Sequence, residues 1–126
     1  MRKSVISTDK APGAVGPYSQ AIRVGDLLFV SGQIPLDPKS GEMVGSEIQA
    51  QTRQALENLK AILESVGADM TNLVKTTVFI TNMEEFPLMN EIYASFFESD
   101  PPARACVEVS NLPKGALVEI EAVALI

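Results

Sequence analysis

The sequence predicts an α+β domain with one mixed β-sheet and two helices packed on a single face. Three observations lead there. Six short segments alternate in polarity or are rich in β-branched residues. Two longer segments repeat apolar residues at helical spacing. The order is β-β-β-α-β-α-β-β, and two amphipathic helices can cover only one face of such a sheet. With 126 residues, the chain suits a single domain spanning 1–126. A chain of this size buries roughly two thirds of its unfolded surface, enough for a core without disulfide staples.

Residues 3–7 form a short first strand. APGAVGPYSQ follows as a Gly/Pro loop. Residues 19–24 and Leu27–Gln33 read as a hairpin around Gly25-Asp26, a favoured two-residue turn. PLDPKSGE is a polar loop. Ser46 and Gln49 have capping-box spacing. Ile48, Thr52, Ala55, Leu56, Leu59, Ile62, Leu63 and Val66 then define one helix, which Gly67 ends. Residues 73–81 read as a strand. Asn82 and Glu85 suggest a second cap before a helix presenting Phe86, Met89, Tyr93 and Phe97 on one face. Pro87 is tolerated there because it sits near the helix start. Asp100-Pro101-Pro102 breaks the chain, and residues 103–109 and 117–125 are the last strands, joined through NLPKG.

In PPARACVEV, Ala103, Ala105, Val107 and Val109 read as one buried face, which turns Arg104, Cys106 and Glu108 away from the core. Strict alternation then gives the uncovered face Phe29, Ser31, Lys75, Thr77, Phe79, Arg104, Cys106, Glu119 and Glu121. That mixture is too polar for a core and too aromatic for plain solvent. It predicts a homo-oligomer using this face, with a two-layer monomer as the alternative.

Composition narrows the chemistry. There is no histidine, so no Ser-His-Asp or Cys-His system can be assembled. With one cysteine as well, no zinc site is expected. GAVGPY has the wrong glycine spacing for a nucleotide loop. The net charge is -6, and scattered Lys and Arg on an acidic chain argue against nucleic acid as a partner. No apolar run follows the basic start MRKSVISTDK, so no signal peptide is expected. No stretch reaches the ~20 apolar residues that span a bilayer. A lone cysteine fits a reducing cytoplasm.

The remaining candidates each carry two readings. Arg104 offers a planar fork of donors suited to a carboxylate; equally, it pairs with Glu119 or Glu121 on a neighbouring strand. Glu119 can orient a water or take its proton, or sit at a half-wet rim, and Glu121 competes with it. Cys106 is a nucleophile only if its thiolate is stabilised; without a histidine base, a small buried residue is the stronger reading. Tyr18 forms a pocket wall or packs a loop. Ser31-Gly32-Gln33 permits close ligand approach or marks a bulge. Asn90 is a site residue or a solvated helix position.

Together these motifs resemble the Rid family, the reactive intermediate deaminases also called YjgF-type or L-PSP proteins. PARACVEVSNLPKGALVEIEA carries the resemblance, supported by GPYSQA, VSGQIP, VKTTVFI and NEIYASFF. Retention of Arg104, Cys106 and Glu119 resembles the RidA subgroup. The resemblance implies a chorismate-mutase-like homotrimer with sites between subunits. It implies hydrolysis of 2-imino acids and their enamine tautomers, released by PLP-dependent dehydratases, to 2-oxo acids and ammonia, with no cofactor. Arg104 would clamp the carboxylate, and main-chain groups of Ala105 and Cys106 would hold the imine or water. Glu119 would handle that water, while Tyr18, Ser31, Gly32 and Asn90 shape the pocket. The alternatives are a non-catalytic module binding 2-oxo acids, a ribonuclease, and a redox-activated chaperone.

Overall fold

Alternating burial along the strands lays out the architecture. The computed structural model describes residues 2–126. Six strands are β1 (Lys3–Ile6), β2 (Ala21–Val24), β3 (Leu27–Gln33), β4 (Leu73–Ile80), β5 (Ala103–Glu108) and β6 (Val118–Leu125). Two helices are α1 (Ile48–Ser65) and α2 (Phe86–Ala94). The predicted element order is the observed one. The sheet order is β1-β2-β3-β6-β4-β5. Only β4 and β5 run parallel; the other neighbours are antiparallel.

One sheet face is apolar and covered. Leu28, Val30, Val78, Ile80, Val118, Ile120 and Ala124 are all buried there. α1 closes over them with Ala55, Leu56, Leu59, Ile62 and Leu63, all fully buried. Each large aliphatic side chain so placed contributes about 1.5–3 kcal/mol. The opposite face is uncovered and carries Phe29, 45% exposed, and Val107, 41% exposed. No helix among the described residues is long and apolar enough to cross a membrane.

The two ends of α1 differ in how they are held. At its C-terminus Gly67 takes φ 78°. Its N–H donates to Glu64 O at 3.1 Å, and the Ala68 N–H to Leu63 O at 3.0 Å, a Schellman closure that needs a left-handed residue. The expected capping box at Ser46 and Gln49 is not formed. Glu47 is the N-cap and makes no side-chain cap bond. Gln49 instead reaches α2, donating to Leu88 O at 3.2 Å and to Glu91 Oε2 at 3.1 Å. A tertiary partner has displaced the local one.

At the second cap, Asn82 accepts from the Glu84 N–H at 3.0 Å. It caps a 3-10 turn over Met83–Glu85 that leads into α2. Phe97 lies beyond the end of α2 yet still meets Tyr93, ring centroids 5.0 Å apart.

The expected faces of β5 are reversed. Arg104 pairs in register with Thr76, and Cys106 with Val78. Thr76 and Val78 are fully buried beneath the helices, so Arg104 and Cys106 lie on the helix side. Ala103, Ala105 and Val107 are exposed on the open side. Alternation shows which residues share a face; the pairing with β4 decides which face that is.

Ser46→Ala should leave the urea midpoint unchanged, whereas Gly67→Ala should cost about 1–2 kcal/mol, the left-handed penalty for a residue with a β-carbon. A loss near 1 kcal/mol at Ser46, the usual cost of a lost cap, would contradict this account of the helix start.

Candidate active site

β5 is an edge strand, and α2 packs beside it. Phe86, Asn90 and Tyr93 recur at i, i+4 and i+7, so they share one helix face. That face receives Arg104. The guanidinium carbon lies 4.7 Å from the Tyr93 ring centroid and 5.3 Å from that of Phe86. Both distances suit cation–π attraction, about 0.5–2 kcal/mol each. An Arg104 guanidinium N–H also donates to Asn90 Oδ1 at 2.7 Å. Behind the cradle, the Tyr93 hydroxyl and Thr76 Oγ1 share a hydrogen bond of 2.7 Å. Burial raises the Tyr93 pKa, while the Thr76 bond and the Arg104 charge pull it down. Arg104 is thereby held in position with donors still free.

Cys106 sits beside this group. Burial pushes its thiol pKa up, and the Arg104 charge only partly offsets that. A thiol pKa shifted upward weighs against the nucleophile reading. Its main chain is better placed for chemistry. Val109 N–H bonds to Ile80 O at 2.9 Å. Strand alternation then aims the main-chain groups of Ala105 at β4 and those of Cys106 at the open edge.

A second group gathers where β3 meets β6. The ladder between these strands shifts register between Val30 and Gln33, so Gly32 sits at an irregularity. The Glu119 side chain lies over it: a β-carbon on Gly32 would fall 2.7 Å from the Glu119 carboxyl carbon. The absent β-carbon at Gly32 leaves the space that the carboxylate occupies. A cleft of about 510 Å³ opens beside them, lined by Tyr18, Ser31, Gly32, Lys114, Glu119 and Glu121 among others. Tyr18 is 51% exposed. The Ser31 hydroxyl donates to Ser19 O at 2.6 Å. Glu119 is half-buried, and its pKa is raised, first by that burial and then by the neighbouring Glu121 charge. A carboxylate with enhanced proton affinity in a cleft suits proton transfer.

The candidates therefore form two clusters. Tyr18, Ser31, Gly32 and Glu119 come together, as do Asn90, Arg104 and Cys106. The clusters do not meet within one chain. Glu119 pairs with Phe79 and Glu121 with Thr77, the open-face residues of β4, whereas Arg104 pairs with Thr76 on the covered face. β4 also separates β5 from β6. An Arg104 ion pair with Glu119 or Glu121 of the same chain is thereby excluded. Sequence reasoning did not assign Thr76, Phe86 and Tyr93 to this cluster. The i, i+4, i+7 spacing of Phe86, Asn90 and Tyr93 was the available signal.

A family model described as Endoribonuclease L-PSP matches residues 8–126. The chain belongs to this L-PSP family. Its six-stranded α+β fold is that of solved L-PSP structures. E. coli TdcF with bound serine is 44% identical, with a TM-score of 0.94 over 98% of each chain. A RutC family protein of Pyrococcus horikoshii is 55% identical over 97% of both chains. The human 2-iminobutanoate/2-iminopropanoate deaminase is 50% identical, over 98% of this chain and 90% of the relative. L-PSP relatives thus carry more than one functional name, and the deaminase name appears at about half identity.

Gly32→Ala should evict the Glu119 carboxyl from its position, because the flexible side chain gives way before the backbone does. Moved toward water, Glu119 should titrate lower than in the wild type when followed by carboxyl NMR. An unchanged titration would contradict the close approach.

Proposed function

We propose that this chain hydrolyses 2-imino acids and their enamine tautomers to 2-oxo acids and ammonia. The carrying observation is the Arg104 guanidinium, held by Asn90 and two aromatic rings at a sheet edge with donors to spare. Such a group suits bidentate recognition of a small carboxylate. The deaminase name of the human relative supports this reading. So does the serine bound to TdcF, since serine carries a carboxylate beside a nitrogen-bearing carbon.

In this mechanism Arg104 binds the substrate carboxylate. The main-chain groups of Cys106, next to Ala105 on the edge strand, hold the imine end or the attacking water. Glu119 takes a proton from that water as oxygen bonds to the imine carbon, and the C=N π electrons move to nitrogen. Glu119 passes that proton to the amine; as the C–N bond then breaks, the carbinolamine hydroxyl returns its proton to Glu119, its O–H electron pair forms the C=O of the 2-oxo acid, and ammonia leaves. An iminium carbon is already electrophilic, so one carboxylate for proton transfer plus fixed positioning is enough. The steps use only the chain's own groups and water. Tyr18, Ser31, Gly32 and Asn90 shape the pocket.

Because Arg104 and Glu119 lie on opposite sheet faces, the complete site is proposed to form between subunits of a homotrimer. The exposed Phe29 and Val107 supply apolar surface for that association. A reducing cytoplasm suits the one free thiol. The family description also names endoribonuclease activity, but a net charge of -6 gives little counterion-release affinity for RNA.

A serine or threonine dehydratase coupled to semicarbazide trapping generates the imine and reports its lifetime. Arg104→Ala should remain an oligomer and lose imine clearance by at least about a hundredfold, the scale of a misplaced substrate. Clearance at the wild-type rate would refute the clamp. The pH profile gives a second check. Glu119 acts as the ionised form, so kcat/KM should fall as pH drops through its pKa, which burial and the Glu121 charge raise from the ordinary glutamate value. Glu121→Gln removes one cause of that rise, so the acidic limb should move to lower pH. An unmoved limb would assign it to another group.

A further inference from the structure

The loop between β1 and β2 carries Tyr18 to the cleft with no regular structure of its own. One buried side chain ties it down. Gln20 is 4% exposed. Its Nε2 donates to the main-chain oxygens of Thr8 at 3.0 Å, Ala11 at 3.3 Å and Pro12 at 2.7 Å. Its Oε1 accepts from the Thr8 N–H at 2.6 Å. Both ends of the amide are therefore engaged, which no apolar or acceptor-only side chain reproduces. The main chain of the same residue is fixed from the other side: Gln20 O accepts from the Ser31 N–H at 2.9 Å, and Ser19 O accepts from the Ser31 hydroxyl at 2.6 Å.

The loop is thus fastened at its start through the amide and at its end through β3. Tyr18 stands between these fastenings. Pro12, Gly13, Tyr18 and Gln20 all line the cleft that holds Glu119. A buried amide with this many partners is costly to disturb, because each carbonyl it releases must find a new donor.

We propose that Gln20 is a positioning residue for the site: it sets where Tyr18 stands in the cleft that Glu119 also lines, by holding the loop that carries Tyr18. Gln20 itself need touch no reacting atom. The inference rests on the reading of this cleft as half of the imine site. It differs from simple loop stabilisation in one respect: the effect on substrate must pass through Tyr18.

The test is a double-mutant cycle of Gln20→Met, which keeps length and loses polarity, with Tyr18→Ala. Gln20→Met should raise KM for imine clearance about tenfold while kcat stays within about twofold, the pattern of lost binding contacts. Hydrogen exchange across residues 8–18 should accelerate in the same variant. The double variant should be no worse than the worse single variant, since both act through one side chain. An unchanged KM, or additive losses in the cycle, would overturn the proposal. Should Gln20→Met not fold, Gln20→Glu, which keeps the acceptor for Thr8 and loses the donors, runs the same cycle with the same criteria. If the wild type clears no imine, the deaminase reading fails. The cycle is then read by calorimetric binding of 2-oxobutanoate. There a tenfold, non-additive weakening upholds the positioning role, while additive losses, unaltered binding or no wild-type binding overturn it.

Discussion

A β-strand turns successive side chains to opposite faces, and that parity separates the two functional clusters of this chain. Arg104 shares its face with Thr76 and Val78 beneath the helices. Glu119 shares the other face with Phe79. No side-chain rotation bridges a sheet, so in the proposed function the guanidinium and the carboxylate that share one substrate come from different copies. The uncovered face, with Phe29 and Val107 exposed on it, is the surface through which the proposed oligomer would form. Under the proposed function, parity links the exposed Phe29 and Val107 to the chemistry, because the shared site requires copies to meet through the face left without helices.

Each cluster is prepared by its own surroundings. The cation rests on Tyr93 and Phe86 and is oriented by Asn90, so little rotamer freedom remains to be lost on binding a carboxylate. Glu119 lies against Gly32 with Glu121 nearby, and its affinity for a proton is raised. In the proposed function the positive group serves recognition and the negative group proton transfer. This division suits a chain without histidine, given a substrate whose carbon is already electrophilic.

Much of the fold was legible in the sequence because local and global signals agree. The apolar stripe of α1 and Gly67 at its end follow from spacing and backbone freedom alone. Other features depend on which elements pack together. Ser46 and Gln49 have the right spacing for a cap, but Gln49 finds a better partner on α2. Ala103, Ala105 and Val107 look like a core face, yet the small residues are the open ones and the arginine turns inward to aromatic rings. At Gly32 the sequence allowed either a close ligand approach or a bulge; the ladder does shift register there, and the space beside the glycine is taken by the chain's own Glu119 carboxyl. The roles of Tyr93 and Thr76 depend on α2 lying beside β5, which no local pattern encodes.

Subunit mixing tests the shared site most directly. Arg104→Ala and Glu119→Gln variants, each purified inactive, are dissociated, combined and reassembled, and imine clearance is measured. If the site joins Arg104 of one copy to Glu119 of another, mixed oligomers contain some sites with both native residues, and activity returns to a sizeable fraction of wild type. If both residues serve within one chain, every site in every mixture lacks one of them. Activity absent after verified mixing would contradict the account.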